Sequence, residues 1–176
     1  MFTYREATLT DIKAIAQLHA RSWQQHYRGI MRDEYLDYAV QEDRQLLWAE
    51  RLHHPSANQH IILAINQNEP CGFACTYAQH DEQWGALLDN LHVLADWQGR
   101  GVGRALMRQS AQWVQQQTSP KKLYLWVFEA NAAASTFYER NGGVRQERAI
   151  VANPGGGQAP VFRYVWPDLE LLTDAK

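Results

Sequence analysis

Apolar positions fall into two rhythms along this chain. Short runs rich in β-branched and aromatic residues predict strands at Phe2–Glu6, His60–Ile65, Gly72–Ala78, Leu87–Val93, Leu123–Phe128, Val144–Ala152 and Val161–Trp166. The intervening stretches carry apolar residues every three or four positions and predict helices. The first opens on Thr8-Leu9-Thr10-Asp11, which reads as a capping box, and runs toward Gln25 with Ile12, Ile15, Ala16, His19, Trp23 and His26 on one face. After a break at Gly29, a second helical stretch covers Asp33–Tyr38 and Glu42–His53, with Leu46, Leu47 and Leu52 as its apolar side. A third runs from about Gly101 to Gln117, striped by Val102, Ala105, Leu106 and Trp113, interrupted by Gln109 and stopped by Thr118-Ser119-Pro120. The fourth begins at Asn131, a good N-cap, and ends at Gly142, a C-cap residue. Asn66–Pro70 predicts a hairpin connection, and the Gly- and Pro-rich Asn153–Pro160 a flexible one.

Strands in hairpin order, then a strand-helix-strand unit, then a helix and a returning hairpin predict an α/β fold: one mixed sheet with helices on both faces. With 176 residues and no composition break, residues 1–176 form one domain large enough for a core without staples. An apolar content of 45% with seven tryptophans fits a packed globule. A net charge of −2 and a pI near 6.4 give no general pull toward nucleic acid or membrane, so a small molecule or a peptide is the better substrate. Cys71 and Cys75, four apart in one strand, would share a face if that strand is regular. Four strand residues span roughly 13 Å, too far for a disulfide, so buried free thiols are expected. Neither zinc spacing nor another metal motif accompanies them. No leader-like segment opens the chain and no apolar run nears the roughly eighteen residues of a membrane span, which predicts a cytoplasmic protein.

The segment Gln98-Gly99-Arg100-Gly101-Val102-Gly103-Arg104 lies between the fourth strand and the third helix. Alternate glycines let backbone amides approach a ligand closely, and the helix that follows offers unpaired N–H groups and a positive dipole end. A phosphorylated ligand is expected there. A nucleotide-hydrolase loop would end in Gly-Lys-Ser/Thr, whereas Gly103 precedes Arg104 and Ala105. A dinucleotide fingerprint is off by one residue, and Pro120-Lys121-Lys122 stands where its acid belongs. A plain glycine-rich turn is the bland alternative.

The second half of the chain weighs against that alternative. Gln98, Gly101 and Gly103 match Gln/Arg-x-x-Gly-x-Gly/Ala, and Asn131, Ala134, Phe137, Tyr138 and Gly142 match Asn-x-x-Ala-x-x-Phe-Tyr-x-x-x-Gly-Phe. In these paired motifs, over nearly its whole length, the chain resembles the GNAT superfamily of N-acetyltransferases. Gly143 departs, standing where an aromatic residue is usual. The resemblance implies a single GNAT-like domain: a mostly antiparallel sheet of about seven strands, the fourth and fifth splayed, with about four helices. It implies acetyl-CoA as co-substrate, no metal, and a primary amine of a small molecule or peptide as acceptor. A homodimer through the last strands is common in the family.

Site residues follow from the same resemblance. The backbone of Leu91, Val93 and Leu94 would hold the pantetheine and thioester, Gln98, Gly99, Arg100, Gly101, Val102, Gly103 and Arg104 the pyrophosphate, and Asn131 and Ala134 the opposite wall. Tyr138 corresponds to the general acid of many members. A phenol with a pKa near ~10 stays protonated at neutral pH and can donate to a departing thiolate. A lysine-like amine is nucleophilic in only about one molecule in ~2,500 at pH 7, so a base or an apolar pocket is needed. Asp89 on the fourth strand is the leading base; His92 is a second, with simple packing as its alternative. Trp23, Tyr27 and Arg28 would form an acceptor rim or merely helix packing, with Asn90 as a further substrate contact. A non-catalytic acyl-CoA sensor, or transfer of another acyl group, is the competing function, although a sensor needs neither Tyr138 nor Asp89.

Overall fold

The computed structural model describes residues 1–117 and 121–173. The expected helix stop at Thr118-Ser119-Pro120 lies outside the described residues. Seven strands form one sheet: β1 (Phe2–Glu6), β2 (Gln59–Asn66), β3 (Glu69–Asp81), β4 (Gly85–Val93), β5 (Leu123–Phe128), β6 (Val144–Ala152) and β7 (Gln158–Trp166). Their order is β1-β2-β3-β4-β5-β7-β6, and every neighbouring pair is antiparallel except β4 and β5. Among the described residues, five α-helices accompany the sheet: α1 (Ile12–His26), α2 (Val40–His53), α3 (Val102–Gln116), α4 (Ala132–Arg140) and the short α5 (Glu170–Thr173). Among the described residues, no helix is long and apolar enough to cross a membrane.

The two faces of the sheet carry different cores, as the alternation of strand side chains requires. Ile15, Leu18, Trp48, Leu63, Phe73 and Cys75 pack between α1, α2 and the sheet. On the other face Leu106, Met107 and Val114 of α3 meet Ala74, Leu88, Leu125 and Trp166. Cys71 belongs to this second cluster although Cys75 belongs to the first. The register slips beside Ala64, where Ala64 pairs with Gly72 and Ile65 with Pro70, so Cys71 is the extra residue of a bulge. A bulge of one residue inverts the alternation, which is why the same-face expectation fails.

The second helical stretch also differs from its sequence pattern. A single π-helical turn, Tyr35–Ala39, precedes α2, and the buried side of the pair is Leu36, Val40, Arg44 and Trp48. Leu46 is 65% exposed. A charged residue on the buried stripe disguised that stripe, and a leucine beside it drew the reading the wrong way. At Gly143 the missing aromatic is explained: a Cβ there would lie 2.7 Å from Trp166, whose indole fills the space.

β4 and β5 pair in parallel at two positions, Ala86 with Leu123 and Leu87 with Tyr124, and then part. The Ala86 N–H donates to the Lys122 carbonyl at 2.9 Å, closing the vertex of this V. Gly85 precedes it with φ +84°, and a Cβ there would sit 2.6 Å from the Lys122 carbonyl oxygen. Replacing Gly85 by Ala should therefore destabilise the fold by about 1–3 kcal/mol, the range for forcing a side chain into a strained, crowded backbone position. Urea unfolding of the two proteins measures it; an unchanged midpoint and slope would contradict the packing at the vertex.

Candidate functional site

The diverging strands leave a cavity of about 690 Å³ between them. On one side its wall is Leu88–Val93 of β4, which keep their ladder to β3; on the other it is Leu125–Phe128 of β5. Leu88 pairs with Thr76 and Asn90 with Cys75, so Asp89 is the bulged residue of β4. The bulge turns Asp89 toward the cavity instead of leaving it in strict alternation.

One end of the cavity is the glycine-rich segment. Gly99 and Gly101 have φ +69° and +81°, with nothing within 4 Å of where a Cβ would stand. Their glycines are therefore required by backbone conformation and keep the approach open. Gly103 is different: a Cβ would lie 3.3 Å from the Phe137 ring, so close packing on α4 selects it. The first hydrogen bond at this end of α3 runs from the Ala105 N–H to the Gly101 carbonyl at 3.0 Å, which leaves the preceding amides facing outward. Gln98 steadies the loop by donating through Nε2 to the Val93 carbonyl at 3.0 Å. Asn131 caps α4, accepting at Oδ1 from the Ala134 N–H at 3.2 Å.

Most of the expected residues meet at this cavity: Trp23, Tyr27, Asp89, Asn90, Leu91, Val93, Gln98, Gly99, Gly101, Val102, Gly103, Arg104, Asn131, Ala134 and Tyr138 all line it. Three expected residues do not. The Leu94 N–H is taken by the Cys71 carbonyl at 2.9 Å, and the residue borders a separate small hollow beside Arg21 and Asp96. Arg100 lies 5.0 Å over the Trp97 ring, outside the cavity wall. Arg28 turns to the surface and pairs with Asp33 at 3.0 Å and with Asp37.

Tyr138 projects from α4 into the cavity and is 8% exposed. Its hydroxyl has no hydrogen-bond partner among the described residues, and burial, then the neighbouring Tyr27, raises its pKa well above the phenolic value. Burial also pushes Tyr27 up to about 12. Both phenols are thus donors at neutral pH. Asp89 pairs with Arg51 at 2.7 Å, and the same Arg51 nitrogen donates to Asn90 Oδ1 at 3.0 Å.

His92 stands neutral in the cavity wall. Burial, then His26 and Arg44, lowers its pKa to about 3. Its Nδ1 lies 2.9 Å from the Ser22 hydroxyl, and His26 Nδ1 lies 2.8 Å from the Ser22 carbonyl. In the tautomer whose Nδ1 accepts from Ser22, the proton of neutral His92 sits on Nε2. Behind it, His19 Nδ1 accepts from Trp48 Nε1 at 3.0 Å, and its Nε2 is buried without a partner. The two imidazole rings lie 4.6 Å apart.

Sequence reading missed two residues here, Arg44 and Arg51, which bring guanidinium groups from α2 to the cavity wall. The signal was present: Arg44 stands four residues from both Val40 and Trp48, in the middle of an apolar stripe. Among the described residues that line the cavity, Asp89 is the one carboxylate, against Arg44, Arg51 and Arg104.

With the geometry in place, comparison with known proteins gives the following. Residues 13–143 match the family model described as the acetyltransferase (GNAT) family. The uncharacterized N-acetyltransferase YuaI of Bacillus subtilis strain 168 is 30% identical across 98% of this chain and 96% of its own length. The PaiA N-acetyltransferase of Thermoplasma acidophilum, crystallised with coenzyme A, superposes with a TM-score of 0.71 at 16% identity, covering 93% of this chain and 98% of its own. Arabidopsis thaliana NAA60, in complex with a bisubstrate analogue, gives 0.68 at 16% identity, covering 94% and 97%.

The buried imidazoles carry a consequence for pH. Both His19 and His92 have depressed folded-state pKa values, so the unfolded chain binds their protons first as pH falls below about 6.5. Stability should then drop on acidification from that point toward pH 3, by at most about 1.4 kcal/mol per pH unit for each imidazole. Unfolding free energies between pH 7 and 4.5 test this: His92→Gln should make the slope shallower by about one proton. An unchanged slope would contradict a neutral, buried His92.

Proposed function

The chain belongs to the acetyltransferase (GNAT) family and is an acyltransferase; from that premise we propose that it moves the acetyl group of acetyl-CoA to a primary amine by direct attack within a ternary complex. The observation that carries this reading is the V between β4 and β5, with a glycine cradle at one end and a buried phenol on its wall.

The residues fit such a co-substrate. Strand β4 has lost its partner on the β5 side beyond Leu87, so the backbone groups of Leu91 and Val93 can pair with the amides of a pantetheine arm as they would with another strand. Gln98–Arg104 offer amides and the positive end of α3 to a pyrophosphate, with the Arg104 guanidinium nearby. Asn131 and Ala134 form the facing wall. The bound thioester supplies an acyl carbon open to attack and a sulfur leaving group.

The protein then has three tasks. Asp89, anchored by Arg51, receives the acceptor's ammonium and takes its proton directly or through water, so that the free amine attacks the acyl carbon. The β4 amides and the Nε2–H of His92 offer donors to the charge that grows on the carbonyl oxygen. As the C–S bond breaks, Tyr138 gives its proton to the charge building on sulfur and regains one from the attacking nitrogen, so that the phenol is restored and the amide is left neutral. The two buried free thiols, Cys71 and Cys75, suit the reducing cytoplasm in which acetyl-CoA is made.

Two substitutions separate chemistry from binding. Tyr138→Phe should lower the rate of thiol release by about 10²- to 10⁴-fold with little change in acetyl-CoA affinity. Gly101→Val, which forces a side chain into φ +81°, should weaken acetyl-CoA binding by about tenfold or more. Calorimetric titration and thiol release, measured side by side with an amine panel, check both. A Tyr138→Phe protein at the parental rate would remove that residue from proton transfer.

A further inference from the structure

Arg44 has no task in the chemistry above, yet it is one of the more costly residues in the molecule. It sits on the buried side of α2 at 7% exposure and borders the cavity. One end of its guanidinium is satisfied: Nη2 donates to Asp43 at 2.9 Å, and Asp43 also accepts from the Tyr35 hydroxyl. The other end is not. Nε is buried with no partner, and Nη1 has none among the described residues. The group is nonetheless held still, because it lies 4.2 Å over the face of Trp23.

A buried guanidinium with half of its fork unpaired is destabilising unless something completes it. The N–H groups of Nη1 match an oxygen of a carboxylate or a phosphate, to which a guanidinium gives charge-assisted hydrogen bonds, while Nε–H points away from Nη1 and stays enclosed. The surroundings favour an anionic group as well: Asp89, the one carboxylate lining the cavity among the described residues, is already bound to Arg51. A polycationic acceptor would place several charges against this wall without partners. From Arg44 the wall continues through Trp23 to Tyr27, 5.7 Å away between ring centroids, and Tyr27 neighbours Tyr138. An acceptor anchored at Arg44 would thus extend along this wall toward Tyr138, in the cavity that Asp89 also lines.

We propose that the acceptor is an amino-carboxylate, a small amine whose carboxylate is held by Nη1 of Arg44 while its amine is presented to the thioester. This rests on the acetyl-transfer reading and narrows it from amines in general to the amino-acid class.

The test compares matched probes on the intact protein. Glycine, β-alanine, 4-aminobutyrate, L-methionine and L-phenylalanine are each set against the corresponding carboxamide in a thiol-release assay, with 2-aminoethylphosphonate against β-alanine to separate carboxylate from phosphonate. The best acid should exceed its amide in kcat/KM by at least about 30-fold, the scale on which a site built for a polar group rejects its absence. Arg44→Gln should reduce that ratio to within about threefold and leave the acetyl-CoA dissociation constant unchanged. The same ratio, read calorimetrically on the N-acetylated acids and amides binding to the wild-type protein, frees the answer from turnover and from the folding of the variant. Amides that match or surpass the acids, a phosphonate that surpasses β-alanine, or a ratio untouched by Arg44→Gln would overturn the proposal. Failure of acetyl-CoA itself to bind would instead overturn the transferase reading beneath it, and the two failures are told apart by that titration.

Discussion

Two parallel strands at the centre of the sheet share two ladder positions and then separate, and most of what this molecule can do depends on that separation. A strand whose polar backbone groups lie beside a cavity needs a partner from elsewhere. Gly85 and the hydrogen bond from Ala86 to Lys122 hold the strands together at the vertex, while the Asp89 bulge and the cavity lie where they diverge. The antiparallel pairs on either side, β3 with β4 and β5 with β7, keep the two arms rigid. The opening is therefore built into the topology and needs no movement to form.

Enclosure decides the chemistry of the groups that meet there. Desolvation favours the neutral form of every titratable side chain, so the same physics keeps the Tyr138 phenol protonated and the His92 imidazole uncharged. In the proposed reaction the first is the proton donor to the leaving group, and the second is an uncharged part of the wall. Charged groups persist at the wall where partners hold them: Arg51 has Asp89 and Asn90. Arg44 has Asp43 at Nη2 and no partner at Nε. The contrast between these two arginines is what separates a structural ion pair from a group still owed a ligand.

Much of this was legible in the sequence, for reasons that can be named. The glycine segment and the Asn131 helix depend on local backbone demands, left-handed φ at Gly99 and Gly101 and a side-chain cap at Asn131, and such demands are written in residue type. The α/β class and the single mixed sheet followed from the succession of strands and helices along the chain. What stayed hidden needs three dimensions. The bulge at Cys71 reverses which face each later side chain takes; Pro70 and Gly72 beside it are its only signal, and they read equally well as the end of a hairpin connection. Arg44 on a buried stripe looked like a surface position, and exposed Leu46 looked like core. The burial of His92 against Ser22 and beneath His26 could not be read from its place in the strand. Leu94, adjacent to the right residues in sequence, has its amide drawn off to Cys71.

The central claim is that the arms of the V and the entry to α3 together receive the thioester co-substrate. Mapping backbone amide resonances during titration with acetyl-CoA tests it most directly. The account predicts that the largest changes fall on Leu91, Val93 and Gly99–Arg104, with Asn131–Ala134 following across the cavity. Saturable binding that leaves those amides unmoved while shifting others, or no binding at all, would contradict it.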